Sequence, residues 1–369
     1  MSIIRGRRLI GLLLAVLLLV RAGAPAVAAT AVDPYARSTT PVADHIWLIY
    51  RTYSSTEAPF EGNVEVFEQS DGLVVVDAGG CPLSGEHVVR QIRALSAKPV
   101  KYLVYTHYHG DHNLGAGAFR RAWPNAVVIS TAATRDNMTS APMNYIKTYG
   151  HDYQGMIDYA ERQLTSADLP ESKRRGWQRI ADIGPAMVAA YSSLAAYPAD
   201  LTFVDRVTIP DAVTPVEVRF LGRANTDGDA VAWAPKQRVI AAGDIVVSPI
   251  PYASASYISD WIDVLGKLRA IDYAALVPGH GRVQSDKVYI DKLIRALMEI
   301  RSRIRSLVAS GTSLEDIQKQ TIFDGQLSDF AGDDEWQRAL MRSFFLKAIV
   351  SNAYKEATGE QIVQGRDGG

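Results

Sequence analysis

The stretch YTHYHGDHNLGAGAF, Tyr105 to Phe119, places three of the chain's seven histidines and an aspartate within six positions. Imidazole is the commonest metal-binding side chain and the usual proton carrier near neutral pH. His107 and His109 are separated by one residue, so on extended backbone both rings project to one side. Gly110 lets the chain turn sharply, and Asp111 and His112 follow at once. Two pairs of donors so close together suit two adjacent metal ions. A solvated polar loop is the alternative, and it accounts poorly for His-x-His-x-Asp-His directly beyond a strand.

That strand is Val100–Thr106 (VKYLVYT). Before it come His45–Tyr50 (HIWLIY), Asn63–Glu68 (NVEVFE) and Gly72–Asp77 (GLVVVD), the last closed by the turn Ala78-Gly79-Gly80. Ser84 reads as a helix N-cap, with Val88, Val89, Ile92 and Leu95 at helical spacing behind it. A strand, helix, strand order with chemistry after the second strand is α/β organisation, where ligands sit beyond the carboxyl ends of strands.

From Thr131 to Tyr197 the chain reads as a helical, tyrosine-rich insertion and a candidate substrate wall. A second β-rich half follows, with Leu201–Phe203, Val207–Ile209, Val216–Leu221, Ala230–Trp233, Val239–Ala241 and Ala275–Val277. Residues 287–369 read as helical: Ile290, Leu293, Ile294, Leu297, Ile300 and Ile304 form an apolar stripe. A shorter helix is expected after Ser313 and a last one over Asp333–Glu356. No chemistry-bearing cluster is legible there, and these helices are expected only to pack.

The formal net charge of −1 argues against nucleic acid or an anionic membrane as partner. At the N-terminus, Arg5, Arg7 and Arg8 precede an apolar run from Leu9 to Val20, and Ala26-Val27-Ala28 supplies small residues. This order predicts a secretory signal peptide over residues 1–28. The run is short for a membrane span and Arg21 ends it, so a mature periplasmic or secreted protein without a stable membrane anchor is expected. Cys81, the single cysteine, excludes an intramolecular disulfide and any multi-cysteine metal cluster.

Three further turns follow strands in the same manner. Asp77 ends VVVDAGG, Asp244 sits in IAAGDIV, and His280 sits in LVPGHGRV. With the histidine cluster, and in this order, they resemble the metallo-β-lactamase superfamily of hydrolases from about Asp44 to Gln284. The resemblance implies a four-layer αββα sandwich over residues 29–286, with the helical insertion at about 131–197 and the C-terminal helical extension outside it. It further implies that His107 and His109 hold a first metal and Asp111, His112 and His280 a second. Asp244 would bridge the two, and Asp77 would support the ligand loop from behind.

One position departs from the family pattern. Where the family usually has Gly-x-x-His-Thr-x-Gly-Asp, this chain reads GRANTDGDA, so Asn225 takes the place of a histidine. An amide oxygen is a weaker, neutral ligand. Asn225 is therefore open to two roles, weak ligand or substrate contact, while the turn explains Asp227 and Asp229.

The function so implied is metal-dependent hydrolysis of a small-molecule carbonyl substrate: thioester, lactone, ester or lactam. Two zinc ions would activate a hydroxide, with Asp111 taking its proton. Two rivals stand beside it. One is a mononuclear non-haem iron redox enzyme, since iron also suits histidines and a carboxylate. The other is a non-catalytic exported metal-binding accessory protein. His45, His87 and His151 read as surface or packing residues, with His151 the nearest to any substrate.

Overall fold

Leu73–Val76 (LVVV) shows how the layers are encoded. Leu73 and Val75 pack with Val88, Ile92 and Phe119 of neighbouring helices. Val74 and Val76, pointing the other way, pack with Val216, Val218, Ala230 and Ala232 of a second sheet. A strand covered on both faces needs a continuous apolar run, which is what the sequence supplies.

The computed structural model describes residues 33–51, 61–319 and 323–365. The expected signal segment, residues 1–28, lies outside them. Twelve strands are described: β1 Arg37–Ala43, β2 Ile46–Arg51, β3 Val64–Glu68, β4 Leu73–Val76, β5 Val100–Val104, β6 Val127–Thr131, β7 Leu201–Phe203, β8 Arg206–Ile209, β9 Val216–Phe220, β10 Ala230–Ala234, β11 Val239–Ala241 and β12 Ala275–Val277. Strands β1 to β7 form one sheet in sequence order, and β12-β11-β10-β9-β8 form the other. β1–β4 pair antiparallel and β4–β7 parallel, whereas in the second sheet only β11 and β12 are parallel. In β10 the inward residues are Ala230, Ala232 and Ala234, and Val231 and Trp233 face outward. The small inward residues let the two sheets approach closely. Helices cover both outer faces, so the αββα sandwich expected from the resemblance is the fold.

Sequence reading passed over β1 and β6. β1 carries Pro41 and mostly polar residues on a sheet edge, and β6 runs straight into the insertion. The cap of the first helix also differs. The helix spans Pro82–Leu95, so Ser84 lies in its first turn, and Cys81 is the N-cap, its Sγ accepting from Ser84 N at 3.4 Å. Ser84 instead donates its hydroxyl to Glu61 at 2.6 Å.

The insertion is built on two packed helices, Tyr149–Leu164 and Glu171–Ala190. Further on, Val288–Ala309, Leu314–Lys319 and Asp324–Ala331 are helical. Glu335–Met341 continues through a π-helical turn at Arg342–Leu346 into Lys347–Thr358. Ile290, Leu297, Ile304, Leu340 and Ile349 share one buried cluster with Val231, Ile240 and Trp261, so these helices close the outer face of the second sheet. No helix among the described residues is long and apolar enough to cross a membrane.

Candidate metal centre

All six residues read from the sequence as donors lie together at one edge of the sandwich. His107, His109 and Asp244 offer donor atoms within 4.8 Å of one another, and so do Asp111, His112 and His280. The two groups share a border. Asp244 Oδ2 lies 3.7 Å from His107 Nε2, while Asp244 Oδ1 lies 3.2 Å from His112 Nε2 and 3.6 Å from His280 Nε2. His107 and His112 are fully buried, His109 is partly buried, and Asp111 keeps 23% of its side chain exposed.

Asp77 orients two of these rings. Its backbone has φ +62°, a left-handed conformation that aspartate tolerates better than most residues. The carboxylate accepts from Thr106 N at 2.9 Å, from Thr106 Oγ1 at 2.8 Å and from His112 Nδ1 at 2.7 Å. Since the Thr106 hydroxyl donates to Asp77, its oxygen is left to accept from His107 Nδ1 at 3.0 Å. Both rings therefore carry their proton on Nδ1 and turn a bare Nε2 inward, an assignment made from the network. His109 is opposite: Nε2 meets Ser254 Oγ at 3.1 Å, which leaves Nδ1 to face His107 Nε2 at 2.9 Å. Asn113 Nδ2 donates to His109 O at 2.7 Å and holds the loop closed.

These donors fit bound cations. Asp244 Oδ1 is buried without a hydrogen-bond partner, and the inward nitrogens of His112 and His280 face each other at 3.2 Å. Two lone pairs so placed repel unless something positive sits near them.

In metal-free protein a proton takes that place. Burial opposes charge on His112, but Asp111, Asp244 and Asp77 outweigh it and hold its pKa well above the ordinary imidazole value. Burial also pushes Asp229 up, to about 8. Both groups keep protons in the folded state that the unfolded chain releases at lower pH. The stability they contribute is full below the unfolded values and is lost as pH rises through the folded ones. Burial lowers His107 and His109, which makes them destabilising only below the ordinary value of about 6.5. Metal-free protein is therefore expected to lose stability as pH rises from about 6.5. Urea unfolding above that pH checks it; a flat or rising profile would refute the charged His112.

Asn225 is fully buried. Its Oδ1 accepts from Ser254 N at 3.1 Å, and its Nδ2 has no hydrogen-bond partner. It reaches His109 through Ser254, whose backbone N–H meets Asn225 and whose hydroxyl meets His109. Asp229 Oδ2 accepts from Thr226 N at 2.6 Å and so serves the turn, whereas Asp227 Oδ1 accepts from Asn137 Nδ2 at 2.6 Å and ties the turn to the insertion. His45 and His87 pair with Glu68 and Asp33, and His151 is exposed on its helix.

A brace that the sequence did not betray spans the two sides of the site. Glu61 accepts from Arg37, Gly80 N and Ser84. Gly62 N donates to Asp111 O at 3.2 Å, and a side chain at Gly62 would collide with the His112 ring. Asn63 N donates to Gly279 O at 2.7 Å, and its amide donates to Pro278 O at 2.8 Å and Gly281 O at 3.0 Å. One tripeptide thus ties the His112 loop to the His280 loop. Each contact is remote in sequence, so no local pattern announces it.

The donors open onto a cavity of about 240 Å³. His109, Asp111, Asp244 and His280 form its floor. Its walls are mostly apolar and aromatic: Tyr108, Tyr145 and Tyr149 on one side, Ile250, Pro251 and Tyr252 on another. No lysine or arginine among the described residues lines it. Leu340 and Phe344 complete the wall, so the C-terminal helices, expected only to pack, also shape the site. The insertion contributes Tyr145 and Tyr149, with Tyr145 Oη accepting from Gly110 N at 2.8 Å.

Comparison with known proteins agrees with this geometry. The chain is 24% identical over 238 residues to a linear primary-alkylsulfatase from a Pseudomonas species (strain ATCC 19151), an alignment covering 62% of this chain and 43% of that relative. The chain thus matches less than half of that relative's length. Among solved structures, VMB-1 aligns with a TM-score of 0.50 at 15% identity, covering 72% of this chain and 99% of that one. A metallo-beta-lactamase from Pontibacter korlensis aligns at 0.49 and 19%, covering 71% and 99%. At 15% identity the likeness to VMB-1 speaks for the fold alone. The sequence profile of the metallo-beta-lactamase superfamily matches residues 58–280, from ahead of the brace to the last histidine of the site, and the chain is a hydrolase-type member of that superfamily.

Proposed function

We propose that this chain is an exported two-zinc hydrolase acting on esters that carry an apolar group. The observation that supports this reading most directly is the cavity: four of the six metal-type donors at its floor with His107 and His112 buried beneath, aromatic and aliphatic walls above, and no lysine or arginine among the described lining residues. A substrate that binds through an anionic anchor away from the reacting bond finds no partner on such walls, whereas an alkyl or aryl group is desolvated on entry.

In this reading His107 and His109 would hold one ion and Asp111, His112 and His280 the other, with Asp244 placed at the border of both groups. Bound zinc would lower the pKa of water toward neutrality and polarise the scissile group. Asp111 is placed to take a proton. Burial raises its carboxyl, but His112, His280 and His109 outweigh that and hold it below the usual carboxylate range, so it is ionised at neutral pH. Ser254 and Asp77 keep the rings from rotating.

Carboxylic esters, thioesters and lactones with apolar substituents are the first substrate class. The alkylsulfatase relative favours a second reading, a sulfate ester on a primary alkyl chain, for which the same apolar wall serves. Zinc-loaded protein assayed on p-nitrophenyl acyl esters and on alkyl sulfates tests both; inactivity on both overturns the proposal. Metal analysis of protein purified without added metal separates two zincs from one iron.

Two further results are expected. Protein recovered from its native host begins near Ala29, and N-terminal sequencing that returns Met1 would refute export. Asn225→His adds an imidazole beside Ser254 and His109, and is expected to tighten zinc retention at the His107–His109 half by about 10–100-fold. Chelator titration of both proteins measures it; identical release curves would place residue 225 outside the metal shell.

A further inference from the structure

Helix Lys347–Thr358 ends at Gly359, which adopts a left-handed conformation with φ +77°, and Glu360 N closes the turn by donating to Lys355 O at 2.8 Å. The chain then leaves the helix and crosses toward the metal centre. Gln364 Nε2 donates to Ala255 O at 3.0 Å and to Tyr257 Oη at 3.3 Å. Gly365 N donates to Tyr108 Oη at 3.1 Å, beside His109. On its other side, a side chain at Gly365 would come within 3.7 Å of Pro142 Cα, in the insertion.

This short segment separates two cavities. Gly365 and Tyr145 line the chamber over the metal donors, and the same two residues line a second cavity of about 690 Å³. The second cavity is more polar, with Asn144, Thr148, Asp152 and Lys355 on its wall, and Val363 and Gln364 belong to it. The partition is thin: one glycine without a side chain and one tyrosine ring.

We infer that the segment Val363–Gly365 is the end wall of the substrate chamber and sets the length of apolar group the enzyme accepts. The inference rests on the reading of that chamber as the ester-binding site. A short acyl group fits against Tyr145 and Gly365. A longer one meets the wall, because a packed segment tied down by three hydrogen bonds yields only at the cost of breaking them. Removal of the segment joins the two cavities and relieves the clash.

Deleting Gln361–Gly369 is the direct test, on zinc-loaded protein with a series of p-nitrophenyl esters from acetyl to dodecanoyl. The full chain is expected to show a sharp fall in kcat/KM beyond a short acyl length. The deletion should raise the dodecanoyl-to-butanoyl ratio of kcat/KM by at least about tenfold, the scale on which pockets discriminate by size. Gln364→Ala loosens the segment without removing it and should shift the ratio in the same direction by less. If the deletion variant melts early, this point variant carries the test. Binding is read separately, through thermal stabilisation by 1-alkanols of increasing length. A longer preferred alkanol in either variant, with no ester turned over, would leave the wall standing and fault the ester reading. An unchanged acyl profile and an unchanged alkanol preference in both variants would overturn the wall.

Discussion

Asp244→Asn is expected to lower turnover by at least about a thousandfold and to halve zinc content. The lower bound is set by the loss of a single transition-state hydrogen-bond donor, which costs about 100–1000-fold. Asp244 does more than such a donor, since its two oxygens face the two donor groups separately. The amide keeps the shape but offers one neutral oxygen in place of a shared negative charge, so the half that meets the amino group loses both ligand and charge. The measurement is zinc stoichiometry alongside kcat/KM, at equal folded fraction. A fully loaded and active variant would mean that Asp244 does not serve both halves.

Gly279→Ala should also impair the centre, without replacing any of its donors. A methyl at position 279 would overlap Asp244 Oδ1 and the backbone of Gly243. The two backbones are tied in place: Gly279 N already donates to Gly243 O at 2.8 Å, and Asn63 N holds Gly279 O at 2.7 Å. The added methyl either swings the Asp244 carboxylate out of the site or pushes the two loops apart. Overpacking of this kind costs about 1–3 kcal/mol. The expected outcome is a folded, less stable protein with zinc affinity reduced by at least about tenfold, a minimum taken from losses at outer-shell positions. Chemical denaturation and chelator competition check the two parts independently. Wild-type affinity in a destabilised variant would show that the loops yield and the carboxylate does not.

Much of this was legible from one sequence, for physical reasons. Runs such as LVVV and AVAWA announce strands because burial on both faces leaves no room for polar residues. The cluster from His107 to His112 announces chemistry because its donors are adjacent along the chain. Asp244 and His280 were readable only through resemblance, since a lone aspartate and a lone histidine after strands have ordinary structural uses. The Cys81 cap was missed because a thiol is a poor acceptor and Ser84 a better one by type; burial of the loop decided otherwise. The brace Glu61–Asn63, Ser254 and the wall at Gly365 left no trace, because their partners lie far away in sequence. Their roles exist only after the chain has closed.

The brace has a consequence for how the protein matures. His112 follows a strand of one sheet and His280 follows a strand of the other, so neither sheet alone can present both rings. Glu61, Gly62 and Asn63 can reach both loops only when the sheets have met in one register, over the alanines of β10. Capture of an ion between His112 and His280 would thus be a late event that reports correct docking of the halves. A chain mispaired by one residue along β10 would keep its secondary structure and its His107–His109 pair and still fail to seal the centre. On the two-metal reading, metal uptake would act as a proofreading step on assembly: only correctly docked chains would become resistant to chelators, and misdocked ones would stay open to refolding or proteolysis.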